Sequence, residues 1–328
     1  MSPPPPEGAA TAASIDAHDL GPSFEPLLLA ACDGRLSEIH WFRKPWQRGG
    51  AATAFATFRC DDGIERDVIV KLPLHPAEHR LLAALAETGP PIPNVVAIDD
   101  ELGPYHFAWA VMERVCGEPP VHRPTKAAYL ALSDAAALFY ERARGTWPLT
   151  PPRSSWDWHG LVEQSRERAR AGGFELAADW AHELKDHHKL LDRLASEWAG
   201  RPINCWLHGD LHLGNLLMRT DDSSWGDAAP MLVDFAEVRC GHWVEDAVYL
   251  ERTHWAHPES VKGIKPVSMI ARARRKLGLE TDEEYTRLAD VRRALMAAIV
   301  PARIDQEGQP AYVEGALTVF RLALTRLM

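Results

Sequence analysis

The stretch WLHGDLHLGNLLM, Trp206 to Met218, sets His208, Asp210, His212 and Asn215 between apolar ends. Asparagine is scarce, with three in 328 residues, yet one stands five positions after Asp210. A second carboxylate, Asp234, closes the apolar run MLVDF that begins at Met231. An acidic group at the end of a buried strand is costly in desolvation unless a cation meets it. Asn215 offers a neutral oxygen of the kind that hard Mg2+ accepts beside carboxylate and phosphate. These residue types suit a divalent-ion site assembled from two segments. Spacing alone leaves another chemistry open. His208, Asp210 and His212 alternate, so on a strand they would share one face and could ligate the metal of a hydrolase. Gly209 and Gly214 favour a loop instead.

Positioning such groups needs a scaffold on both sides. The first third reads as strands: LSEIHWF (Leu36 to Phe42), TAFATFRC (Thr53 to Cys60) and RDVIVKL (Arg66 to Leu72), parted by turns such as DDG. One helix follows, with Pro76 in its first turn, Leu81, Leu82 and Leu85 as its stripe, and Gly89-Pro90-Pro91 as its stop. The runs NVVAI and FAWAVM add strands up to Glu113. From about residue 125 the periodicity turns helical. Leu176, Trp180, Leu184, Leu191, Leu194 and Trp198 form one long stripe, and Thr281 with Glu284 predicts a capping box before Leu288. The expected layout is α+β: a Pro/Ala-rich disordered tail over 1–20, a small β-rich lobe over 21–113, and a larger helical lobe over 114–328.

Composition narrows the partners. Apolar residues make up 46% of the chain, enough for a substantial core, and the formal charge of −10 argues against a nucleic-acid backbone as ligand. No apolar run approaches the roughly 18 residues that cross a bilayer. The start, MSPPPPEGAATAASIDAHD, lacks the basic and apolar segments of a secretory signal. Five scattered cysteines without C-x-x-C spacing read as reduced thiols, so a cytoplasmic location is expected.

The order H-x-D-x-x-x-x-N, then an apolar run into Asp-Phe, matches the phosphoryl-transfer site of protein kinases. HGDLHLGNLL followed by LVDFAEVRCGHWVEDAVYL resembles the aminoglycoside phosphotransferase and choline kinase family, small-molecule kinases with a protein-kinase-like two-lobe fold. The resemblance implies that Asp210 receives the proton of an acceptor hydroxyl and that Asn215 and Asp234 hold Mg2+. It implies supporting roles for His208 and for Asp246, which follows Gly241, and His212 falls where the family commonly has a histidine. In the small lobe it implies that Lys71 of VIVKLP holds the phosphates of ATP (or GTP), paired with Glu78. Gly49 and Gly50 would cover those phosphates, and backbone groups of Glu113 and Val115 in VMERVCG would meet the adenine edge. The expected function is phosphorylation of a hydroxyl on a small molecule. Glu245, Glu251 and Asp282 to Glu284, with Trp156, Trp158 and Trp255, would suit an amine-bearing acceptor. A protein substrate is disfavoured, because Ala236 stands where the Asp-Phe-Gly triplet of protein kinases has its Gly and no A-P-E motif occurs. A nucleotide-binding interaction module that has lost catalysis is the other alternative.

Overall fold

The computed structural model describes residues 17–42, 51–122, 124–146, 148–149 and 156–328. The chain divides into two compact units, Met1–His79 with Val95–Arg114, and Arg80–Asn94 with Val115–Met328.

The first unit is built on five antiparallel strands: β1 (Leu36–Phe42), β2 (Ala52–Arg59), β3 (Glu65–Leu72), β4 (Val95–Asp99) and β5 (Trp109–Glu113), in the order β1-β2-β3-β5-β4. Period-two alternation decides which side chains face the core. In β3, Val68, Val70 and Leu72 are fully buried, so Lys71 lies on the opposite face, in register with Thr53 and Ala110. The β2–β3 turn reverses at Gly63 (φ +78°), where Asp62 accepts the Ile64 N–H at 2.9 Å.

A helix the sequence did not suggest, α1 (Ala17–Ala31), precedes the sheet. It carries Pro22 and Pro26, which normally break a helix. Tertiary contacts outweigh that local cost. Leu28 is fully buried, Trp41 Nε1 donates to Glu25 at 3.0 Å, and a side chain at Gly21 would strike the Trp41 ring. Residues 17–20, read from composition as tail, are therefore helical. The next helix, α2 (Pro76–Leu85), starts at Pro76 and buries Leu81, Leu82 and Leu85 as its stripe requires.

The second unit is mainly helical: α3 (Lys126–Thr146), α4 (Trp158–Ala171), α5 (Ala177–Asp186), α6 (His188–Ala199), α7 (Val244–Arg252), α8 (Pro266–Lys276), α9 (Tyr285–Ala298) and a C-terminal helix, Pro310–Leu327. The long leucine and tryptophan stripe proves to be two helices, α5 and α6, separated at His187. Trp180, Leu184, Leu191, Leu194 and Trp198 nevertheless join one core with α9 and the C-terminal helix. The expected capping box does not form, since Glu284 caps α9 with no side-chain bond. Asp282 instead adopts φ +57° and accepts from His242 Nε2 at 2.6 Å, a pairing across 40 positions. Two short two-stranded antiparallel sheets complete the unit: β6 (Cys205–Leu207) with β9 (Arg239–Gly241), and β7 (Leu216–Arg219) with β8 (Ala229–Leu232). No described helix is long and apolar enough to cross a membrane.

Candidate active site

The two small sheets frame one loop. β6 delivers the chain to His208, and β7 takes it away after Asn215; β8 ends two residues before Asp234. His208, Asp210 and His212 thus lie in a loop and not on a strand, which removes the shared face that a histidine-aspartate metal set would need. Among the described residues no three His, Cys, Asp or Glu side chains are grouped to hold a metal ion. The hydrolase reading loses its geometric basis.

Asn215 is buried, and its Nδ2 donates to the Asp210 carbonyl at 2.9 Å and to Asp210 Oδ2 at 3.2 Å. Both donations orient the amide and leave Oδ1 without a donor among the described residues. The Asn215 carbonyl accepts the Val233 N–H at 3.1 Å, and Leu216 pairs with Leu232. The segment bearing Asn215 is thereby fastened directly beside Asp234. His208 makes a second fastening. Its Nε2 bonds the Val233 carbonyl at 3.1 Å, so Nε2 carries the proton, and Nδ1 accepts the Asp210 N–H at 3.4 Å. The ring is fully buried against Phe235, 4.8 Å between centroids, and burial lowers its pKa and keeps it neutral. Asp234 itself sits at φ +65°, a conformation that Asp tolerates better than most residues.

Asp210 is the focus of the loop. Burial would raise its pKa, but hydrogen bonds from His212 and Tyr249 outweigh burial and hold it well below the usual carboxylate range. Tyr249 donates to Oδ1 at 2.6 Å, and His212 Nε2 lies 3.5 Å from Oδ2. Helix α7 supports the same loop one turn earlier. Asp246, fully buried, accepts the N–H groups of His208 (2.8 Å) and Gly209 (2.9 Å) and the Tyr140 hydroxyl (2.9 Å). Burial pushes its pKa up, against those donors. Asp246 and Tyr249 are three apart and so share a helix face. The sequence had marked Asp246 but not Tyr249, because a tyrosine on an apolar helix reads as core. Gly209 is required at its position: φ is +85°, and a Cβ would meet the Glu237 carbonyl at 2.0 Å.

In the first unit, Lys71 Nζ donates to Glu78 Oε1 and Oε2 at 2.7 and 2.9 Å, and Glu78 is buried. Glu113 ends β5 in register with Val68, and the division between units falls just after Arg114, before Val115. Gly49 and Gly50 lie outside the described residues. Three of the five acids that suggested an amine-bearing acceptor are engaged within the protein, two of them by arginines. Glu245 is bonded by Arg201 at 2.9 Å, Glu251 is held bidentately by Arg293 at 2.7 and 2.9 Å, and Asp282 bonds His242.

A family model described as the phosphotransferase enzyme family matches residues 46–289. No curated protein sequence matches the chain. Among solved structures, a candidate aminoglycoside phosphotransferase from Ralstonia eutropha JMP134 is 14% identical with a TM-score of 0.52, covering 91% of this chain and 95% of its own. A spectinomycin phosphotransferase solved with ADP and spectinomycin is 12% identical, TM-score 0.49, covering 87% and 90%. A choline kinase from Cryptosporidium parvum Iowa II is 11% identical, TM-score 0.47, covering 90% and 89%. The first likeness establishes the fold and says nothing of the acceptor.

Proposed function

Because this chain belongs to the phosphotransferase enzyme family, whose matched region holds the Asp210 loop and Asp234, we propose that it moves the γ-phosphoryl group of ATP (or GTP) to a hydroxyl of a small molecule, with Asp210 as the residue that meets that hydroxyl. Phosphotransfer to a small-molecule hydroxyl is the activity of the family. The donor, the metal and the residue roles are our reading.

The observation that carries it is the pair of Asn215 bonds to Asp210, made while the Asn215 carbonyl secures the neighbour of Asp234. The two segments that carry these three oxygen-bearing side chains are joined by one hydrogen-bonded frame, which supports the reading. Asn215 Oδ1 and the Asp234 carboxylate fit Mg2+, which takes hard oxygen ligands and, when bound, neutralises phosphate charge. Lys71, oriented by Glu78, is the cation proposed to hold the donor's phosphates.

The step balances simply. The acceptor oxygen forms a bond to the γ-phosphorus, the bond from that phosphorus to the β-bridging oxygen breaks, and the nucleoside diphosphate leaves with the electron pair. The acceptor's proton passes to Asp210. A carboxylate held below its usual range is a weak base, so it aligns the hydroxyl early and takes the proton late. Alignment and charge stabilisation then supply most of the rate. Replacing Asp210 by Asn should lower turnover by about 10²- to 10⁴-fold while nucleotide affinity changes only a few-fold. Steady-state ADP formation on any accepted substrate checks this, and near-normal turnover in the variant would remove Asp210 from the role.

A further inference from the structure

Arg292, on α9, is 7% exposed and makes no hydrogen bond or ion pair to another described residue. Its guanidinium is surrounded by indoles instead, 4.9 Å from the centroids of Trp158 and Trp198 and 5.8 Å from that of Trp156. Aromatic faces stabilise a cation but take up none of its five donors. Among the described residues the fully enclosed side-chain atoms without a hydrogen bond include Arg166 Nε and Trp180 Nε1 but no Arg292 nitrogen, so the Arg292 nitrogens keep some contact with accessible space.

The charges acting on Arg292 are unbalanced. Glu245 attracts it, while Arg239, Arg201 and Arg252 oppose it, and burial with this crowding lowers its pKa to about 9. Glu245 is itself bonded by Arg201 at 2.9 Å, with Arg239 at 3.6 Å. Several arginines thus share one carboxylate, a crowding that a further anion would relieve. The cluster also adjoins the catalytic loop. A Cβ built on Gly209 would lie 2.5 Å from an Arg239 nitrogen, and Glu245 immediately precedes Asp246.

The geometry points to an acceptor alcohol that carries a carboxylate or phosphate group, with Arg292 as the residue that binds this anion among Trp156, Trp158 and Trp198. The inference rests on the phosphotransferase reading for what the bound molecule undergoes, but anion binding can be measured without turnover. Planar guanidinium donors match the paired oxygens of either group. Of the carboxylates that would have favoured an amine, Glu245, Glu251 and Asp282 are already bonded to Arg201, Arg293 and His242.

The test uses malonate and inorganic phosphate as probes, titrated into the full chain at constant ionic strength while tryptophan fluorescence is followed. A saturable change is expected with at least one probe, weakened about thirtyfold or more in Arg292→Met, the scale of losing one partner of a buried charge pair. Arg239→Gln, at a half-exposed position, should weaken it less and guards against a folding failure at position 292. Saturable binding with malonate alone assigns a carboxylate, and with phosphate alone a phosphate. No saturable change with either probe, or equal binding by wild type and Arg292→Met, overturns the inference. So does a panel in which amine-bearing or neutral alcohols are phosphorylated while hydroxy acids and phosphorylated alcohols are not. Failure of the phosphotransferase reading has a different signature: anion binding persists, and no acceptor yields ADP.

Discussion

Asp246 and Arg292 are both buried charges of the helical unit, 0% and 7% exposed, yet they are accommodated in opposite ways. Asp246 receives two backbone N–H groups and a tyrosine hydroxyl, all from within the protein. Arg292 receives aromatic faces and, among the described residues, no acceptor. A buried charge whose hydrogen bonds are all supplied internally holds its donors in place, and here the donors belong to the loop that carries Asp210. A buried charge left with rings alone keeps its donors for a molecule that arrives. Satisfaction of polar groups therefore separates the support of this site from its candidate binding surface.

The largest expected effect is at Asp246. Changing it to Ala orphans three donors and should cost about 3–5 kcal/mol of stability, read as a lower urea midpoint. A loss below about 1 kcal/mol would put Asp246 in the same class as Arg292. Tyr249→Phe should come next, since a hydrogen bond to a charged group is worth about 1.5–3 kcal/mol. Its expected signature is a kcat lower by about tenfold with nucleotide affinity unchanged, whereas loss of nucleotide binding would mean that Tyr249 acts elsewhere. Arg292→Met should alter stability by no more than about 1 kcal/mol, because an apolar chain of similar length packs among the indoles. A cost like that of Asp246→Ala would make Arg292 a structural clamp and dissolve the contrast.

The smallest effect concerns pH. Burial lowers the pKa of His242 from its usual 6.5, against the raising influence of Asp282. The unfolded chain then binds the proton more readily, so stability from this group is complete above pH 6.5 and is lost as pH falls below it toward the folded value. His242→Gln, which keeps a donor for Asp282, should shrink the drop in urea midpoint between about pH 7.5 and about pH 5.5. An unchanged drop would locate the acid sensitivity elsewhere.

Most residues of the proposed site stand out in the sequence because they lie on short, ordered segments. Lys71 stands out as the charge in an apolar strand, Glu78 falls in the first turn of the next helix, and Asp210 and Asn215 lie five residues apart. What was hidden depends on contacts between distant positions, for which no period exists. The Tyr249–Asp210 bond joins a helix to a loop across 39 positions. The rings around Arg292 come from α4, α6 and the segment before α4. The capping box failed because Asp282 found His242, and α1 formed despite two prolines because Trp41 and Glu25 met. Local propensity yields wherever a tertiary partner offers more.

The central claim is that Asp210, Asn215 and Asp234 form one phosphotransfer site, and it can be tested without knowing the acceptor. Calorimetric titration of ATP in the presence of Mg2+ should show binding by the wild type and by Asp210→Asn within a few-fold of one another. Binding by Asp234→Ala should be at least about tenfold weaker, the effect of about 1.4 kcal/mol. Equal affinities in all three proteins, or no binding by the wild type, would contradict the account.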